Sequence, residues 1–237
     1  MTDTRAIPAL AANLPRRSKT LVCSLARGKS HIACMRWMAP TARYYADRHG
    51  MDHFLLPLHH DGLDPGRPAA WDKIILLNHM LKLYETVIWL DADTIVVNPE
   101  KSILDGLDPF VPMHVVAHRI GRKTIPNTGV WVCRRDPRTF ELLEELWNHT
   151  EFIQDGWWEQ AALMDLIGYE PRGRRCRFRE STRFTSYVHF MEEKWNSRYA
   201  DPAAETAIMH FTGPYKPLDV IENMYKEFLV RTVVTRQ

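Results

Sequence analysis

Residues Thr86 to Leu90 read Thr-Val-Ile-Trp-Leu and run without a break into Asp91-Ala92-Asp93. The run is too short for a helix, and its β-branched, apolar character marks a strand buried on both faces. A chain with such a strand must cover its sheet on two sides. Similar runs stand at Thr20 to Leu25 and Phe54 to Leu58. Helical patterns separate them: Ile32 to Arg48, stopped by Gly50, and a segment from Trp71 in which Ile74, Leu77, Leu81 and Tyr84 keep helical spacing, with Lys73 and Lys82 on its other faces. The order strand, helix, strand, helix, strand predicts an open, largely parallel α/β sheet.

Val115 to Ala117 and Gly129 to Cys133 add two strands, and Asp136-Pro137 caps and opens a helix to about Trp147. Helices are also expected from Trp158 to Ile167 and Leu218 to Val230, and a strand from Thr206 to Phe211. Residues 1–19 read as a flexible leader and 20–237 as a single domain. With 31 basic against 29 acidic residues, the net charge of +2 gives no reason to expect a nucleic-acid partner. No apolar run approaches the roughly 18 residues of a spanning helix, and the order of a secretory signal is missing from the first residues. Cys23, Cys34, Cys133 and Cys176 form no close pair and read as reduced thiols. The expected location is the cytoplasm.

Asp91 and Asp93 end a buried strand, where open α/β sheets place their ligand crevice. Two carboxylates there need a counter-ion, and a hard divalent cation suits them; a capped turn is the plainer alternative. In His210-Phe-Thr-Gly-Pro-Tyr-Lys216-Pro, the imidazole could complete a cation site, Gly213 would let the backbone approach a phosphate, and Lys216 could neutralise it. Asn127 and Gly129 open a strand and Glu159-Gln160 open a helix, so their side chains can meet in the same crevice. Gly28-Lys29-Ser30 is no P-loop, because Cys23 stands where the first glycine is required. His59-His60-Asp61 reads as a polar surface loop. The arginines from Arg172 to Arg183 read as a solvated face that could also attract an anionic acceptor or a membrane surface.

Together these residues resemble the nucleotide-sugar glycosyltransferases of the GT-A fold, especially the glycogenin-like and bacterial lipopolysaccharide galactosyltransferase-like retaining family. The resemblance spans most of Thr20 to Pro217 and follows the family's order: Trp71-Asp-Lys73, Val87-Ile-Trp-Leu-Asp-Ala-Asp93, Asn127-Thr-Gly129, Glu159-Gln160, Lys194-Trp-Asn196, and His210 through Pro217. It implies a Rossmann-like open mixed sheet flanked by helices. It also implies that Asp91, Asp93 and His210 hold Mn²⁺ or Mg²⁺ on a donor diphosphate, with Gly213 and Lys216 on the phosphates. Ser24, Lys73, Ala92 and Gly129 complete the expected donor-binding set. Glu159, Gln160 and Asn127 are the expected catalytic group, with Gln160 offering its carbonyl to the positive sugar and Asn127 holding a hydroxyl. Glu159 departs from the commoner Asp, and Leu218 from the usual Trp.

The resemblance points to a UDP-sugar donor, an acceptor that the sequence does not name, and retention of anomeric configuration. Two other readings stay open at this level. A sugar-phosphate nucleotidyltransferase would need a glycine-rich basic loop after the first strand, which Ala26-Arg27-Gly28 matches poorly. A non-catalytic sugar-binding protein would be expected to have lost an acid or the histidine, and none is lost.

Overall fold

The computed structural model describes residues 14, 16–59, 63–171 and 176–234. Most of the expected leader, His60, Asp61, Arg172, Arg174 and Arg175 lie outside them. Strand β1 (Thr20–Arg27) lies between β2 (Asp52–Leu58) and β3 (Thr86–Leu90) and is parallel to both. Beyond β3 comes β6 (Lys123–Arg134), antiparallel, then β5 (Met113–Ile120), and β7 (Val188–Met191) closes the edge parallel to β5. The order is β2-β1-β3-β6-β5-β7. The sheet is thus mixed, as the resemblance implied, and not largely parallel as the alternation of elements suggested. Gly121, at φ 58°, starts the tight turn from β5 to β6, and a tight hairpin can only join antiparallel strands.

Both faces of this sheet are covered. Leu21, Cys23, Val87, Trp89, Trp131 and Cys133 pack toward α2 (Asp72–Met80), α3 (Pro137–Asn148) and α4 (Trp158–Leu166), with Leu77, Leu142 and Leu163 in the same cluster. Their alternates Val22, Ile88, Leu90, Val130 and Val132 face α1 (Lys29–Arg48) and pack with Met38, Ala42 and Tyr45. That period of two explains why the strands read as unbroken apolar runs. Asp136 caps α3 by accepting from the Arg138 backbone N–H at 2.8 Å, as its sequence predicted.

A second, smaller sheet was not legible in the sequence. It joins β4 (Thr94–Val96), β9 (Ile208–His210) and β8 (Ser197–Arg198) in the order β4-β9-β8, and helix α5 (Leu218–Val234) follows. Its register sets Thr94 opposite His210, which brings the end of β9 to the end of β3. The large sheet carries one irregularity of consequence. Val115 pairs with Trp131 but its neighbour Val116 pairs with Asn127, so Thr128, Gly129 and Val130 have no partner on β5.

Candidate active site

A cleft of about 580 Å³ opens at the carboxyl end of β3 and is lined from Leu25 and Arg27 on one side to Gly213 and Lys216 on the other. Lys73, Asp91, Ala92, Asp93, Asn127, Glu159, Gln160 and His210 all border it. Ser24 does not: it is fully buried, and the parity of β1 turns Leu25 into the cleft instead. Gly129 is absent from the lining as well, and its contribution is to make room. A Cβ there would lie 2.5 Å from Nδ1 of His210, so the imidazole rests against the bare backbone.

Asp91, Asp93 and His210 each present a ligand atom within 4.8 Å of the others. His210 Nε2 lies 3.4 Å from Asp93 Oδ1 and 4.0 Å from Asp91 Oδ2. Burial would raise the Asp93 carboxyl, but His210 and Lys216 outweigh it and hold the group well below the usual carboxylate range. Lys216 contacts Asp93 directly and also donates to the carbonyls of Phe211 at 2.8 Å and Gly213 at 2.6 Å. Two oxygens and one imidazole nitrogen, one carboxylate already held ionised, fit a hard or borderline divalent cation.

Behind this rim lies Lys73, only 3% exposed. Its ammonium donates to Asp91 Oδ1 at 2.9 Å and to the Thr128 carbonyl at 3.0 Å, and it pairs with Glu159 Oε1 at 2.8 Å. Burial works against that charge, yet Asp91 and Glu159 together raise it above the ordinary lysine value. Glu159 is pushed up by its own burial, Lys73 opposing, and its Oε1 also accepts from Thr128 Oγ1 at 2.9 Å. Trp89 Nε1 donates to Asp91 Oδ1 at 2.7 Å. Asp91 is therefore oriented from below by two donors, leaving Oδ2 toward His210.

Within the stretch of β6 that has no β5 partner, the amides of Thr128 and Gly129 are served by side chains. Gln160 Oε1 accepts from Asn127 Nδ2 at 2.8 Å and from the Thr128 N–H at 3.4 Å. The carbonyl expected to face the sugar is thus engaged with the strand. Asn127 Oδ1 accepts from the Gly129 N–H at 2.9 Å and from Asn196 Nδ2 at 2.7 Å. The oxygen of Asn127 is therefore fully engaged, while its amide nitrogen, with one hydrogen on Gln160, keeps a second donor.

Sequence reasoning missed Trp89, Thr128 and Asn196 as members of this constellation. All three lie within the motifs that carry the resemblance, but their neighbours in space include residues far away in sequence. Trp157 and Trp158 also line the cleft, and Trp158 does so with a φ of 47° that a bulky residue seldom adopts. Of the arginine cluster, Arg177 pairs with Glu170, Arg179 with Asp165, and Arg183 with Glu141 and Glu145. Those three positive charges are locally matched. No helix among the described residues is long and apolar enough to cross a membrane.

A family model described as nucleotide-diphospho-sugar transferase matches residues 67–219. No curated protein matches the chain by sequence. Among solved structures, a glycosyltransferase involved in glycosylation of the major capsid of PBCV-1 superposes with a TM-score of 0.64 at 17% identity, covering 87% of this chain and 98% of that one. The galactosyltransferase LgtC, solved with donor and acceptor sugar analogues, gives 0.54 at 12% identity over 87% and 95%. The apo form of the glycosyltransferase GlyE of Streptococcus pneumoniae TIGR4 gives 0.56 at 12% over 92% and 64%. These likenesses show a GT-A type fold.

Proposed function

The chain belongs to the nucleotide-diphospho-sugar transferases, glycosyltransferases by reaction, and on that premise we propose that it moves a sugar from a UDP-sugar to an acceptor hydroxyl with the help of a divalent cation and with retention of configuration. The observation that carries this reading is the convergence of Asp91, Asp93, His210 and Lys216 on one rim of the cleft. Asp91, Asp93 and His210 would hold Mn²⁺ or Mg²⁺, which supplies Lewis acidity to the departing nucleotide diphosphate. Lys216 adds a positive charge at the same rim for the phosphates, and Gly213, at φ 96°, holds its carbonyl on that ammonium.

Retention needs either a carboxylate nucleophile or attack on the face the leaving group vacates. Glu159 is the carboxylate considered for the first role, but Lys73 and Thr128 hold its Oε1, and this favours the second route. In that route the leaving phosphate takes the acceptor's proton, while Gln160 borders the cleft where the sugar would lie. The uridine preference rests on the family resemblance, with the base and ribose beside Leu25 and Arg27 at the end of β1 and not beside Ser24. Buried free thiols at Cys23, Cys34 and Cys133 support a reducing, cytoplasmic setting.

Nucleotide sugars screened for Mn²⁺-dependent hydrolysis should single out a UDP-sugar, and calorimetry should rank UDP above GDP and ADP. A clear preference for GDP overturns the donor assignment. Proton NMR at early time should show an α-linked product from an α-linked donor; a β-linked product would establish inversion and remove the same-face route.

A further inference from the structure

The hydrogen bonds around Asn127 have a direction, and that direction can be derived. A backbone N–H can only donate, so the atom of Asn127 facing the Gly129 N–H at 2.9 Å must be its oxygen. The atom of Asn196 lying 2.7 Å from that same oxygen must then be its amide nitrogen. It follows that Asn196 turns its oxygen to Nδ1 of His210, at 2.8 Å, and that Nδ1 carries a proton. In the other direction, the nitrogen of Asn127 faces Gln160, whose oxygen also receives the Thr128 N–H. Every link agrees with every other. Asn196 is fully buried, and its backbone carbonyl accepts from His118 Nε2 at 2.6 Å, which fixes the residue at a second point.

We propose that Asn196 is a positioning residue for the cation site: by accepting from Nδ1–H of His210 it fixes the ring so that Nε2 is the nitrogen that faces Asp91 and Asp93 and is the one left to ligate a cation. Neutral imidazole has two tautomers, and only the one protonated on Nδ1 can ligate through Nε2. Without this acceptor the ring would lose both its orientation and its tautomeric bias. The strand irregularity is the origin of the polarity, because Gly129 has no β5 partner and its N–H is turned to Asn127. This inference rests on the cation reading of the site and adds to it a residue outside the ligand set.

The test uses the full chain and Mn²⁺ alone, without donor. In metal-free protein, ¹⁵N-edited NMR should show an exchange-protected Nδ1–H on His210, and electron paramagnetic resonance should report Mn²⁺ binding. Asn196→Leu should lose the protected resonance and bind Mn²⁺ about 10- to 100-fold more weakly. A wild-type His210 protonated only on Nε2 overturns the proposal without any variant, even if Asn196→Leu fails to fold. Unchanged Mn²⁺ affinity with the resonance intact in Asn196→Leu overturns the positioning role while leaving the cation site standing. Wild-type protein that binds no Mn²⁺ sinks the cation reading itself, and this assignment with it.

Discussion

The imidazole of His210 occupies the space that any side chain at position 129 would need. A Cβ on Gly129 would fall 2.2 Å from Cε1 of His210 and 2.9 Å from Asn127 Oδ1. Gly129→Ala should therefore displace the ring and weaken Mn²⁺ binding about tenfold or more. The accompanying loss of stability should be about 1–3 kcal/mol, the ordinary cost of overpacking. Metal titration alongside urea denaturation separates the two effects. An alanine variant with wild-type Mn²⁺ affinity would show that the ring has another place to go.

Lys73 is shared by two carboxylates in a buried setting. Removing one partner of such a group strands the others, so Lys73→Met should cost about 3–5 kcal/mol in urea denaturation. Neutralising Glu159 as well should restore part of this, because an amide tolerates burial better than an unpaired carboxylate. Lys73→Met with Glu159→Gln should thus be more stable than Lys73→Met alone. Additive losses in that double-mutant cycle would show that the two residues act independently.

Asp93→Asn keeps the shape of the side chain and removes the charge that faces both His210 and Lys216. Turnover of the accepted donor should drop by at least about a hundredfold, the usual scale for losing one electrostatic element of a site. Mn²⁺ affinity should fall with it. Retention of Mn²⁺-dependent turnover at the wild-type rate would mean that the cation site has been misassigned.

Buried histidines make the fold sensitive to acid. Burial pushes His114 down to about 4, helped by Arg134 and His189, and neither ring nitrogen has a partner among the described residues. Burial also pushes His118 down to about 4. A histidine depressed in the folded state contributes stability that is present above its unfolded value of about 6.5 and lost as the pH falls toward 4. Between pH 7 and pH 5 each should therefore cost the protein about 2 kcal/mol. His114→Leu makes no hydrogen-bond demand and should flatten this dependence in denaturation series at the two pH values. An unchanged slope would place the titration elsewhere.

Asp91, Asp93 and His210 were legible because each ends a strand recognisable from its own few residues. Lys73 was harder. Helical spacing put it off the apolar face, as a solvated lysine would be, and it is buried only because Asp91 and Glu159 reach it from other elements. The same reason hid Asn196, whose partners come from β6 and β9. The position of β6 beside β3 depends on long-range pairing that no local pattern encodes, so strand and helix alternation read as a parallel sheet. Ser24 and Leu25 differ only in parity, and a one-residue error in strand phase exchanges the core for the cleft.

The gap in the β5–β6 ladder has a consequence for how such a site can diversify. In a regular sheet the backbone looks after itself, and side chains facing a ligand are free to drift. Here the N–H groups of Thr128 and Gly129 depend on Gln160 and Asn127, two residues that also border the cleft. Exchanging either one to accommodate a different sugar would orphan a strand amide at the same stroke. New specificities should accordingly arise by changes in the short turn at Ala69-Ala70, which lines the same cleft without that obligation.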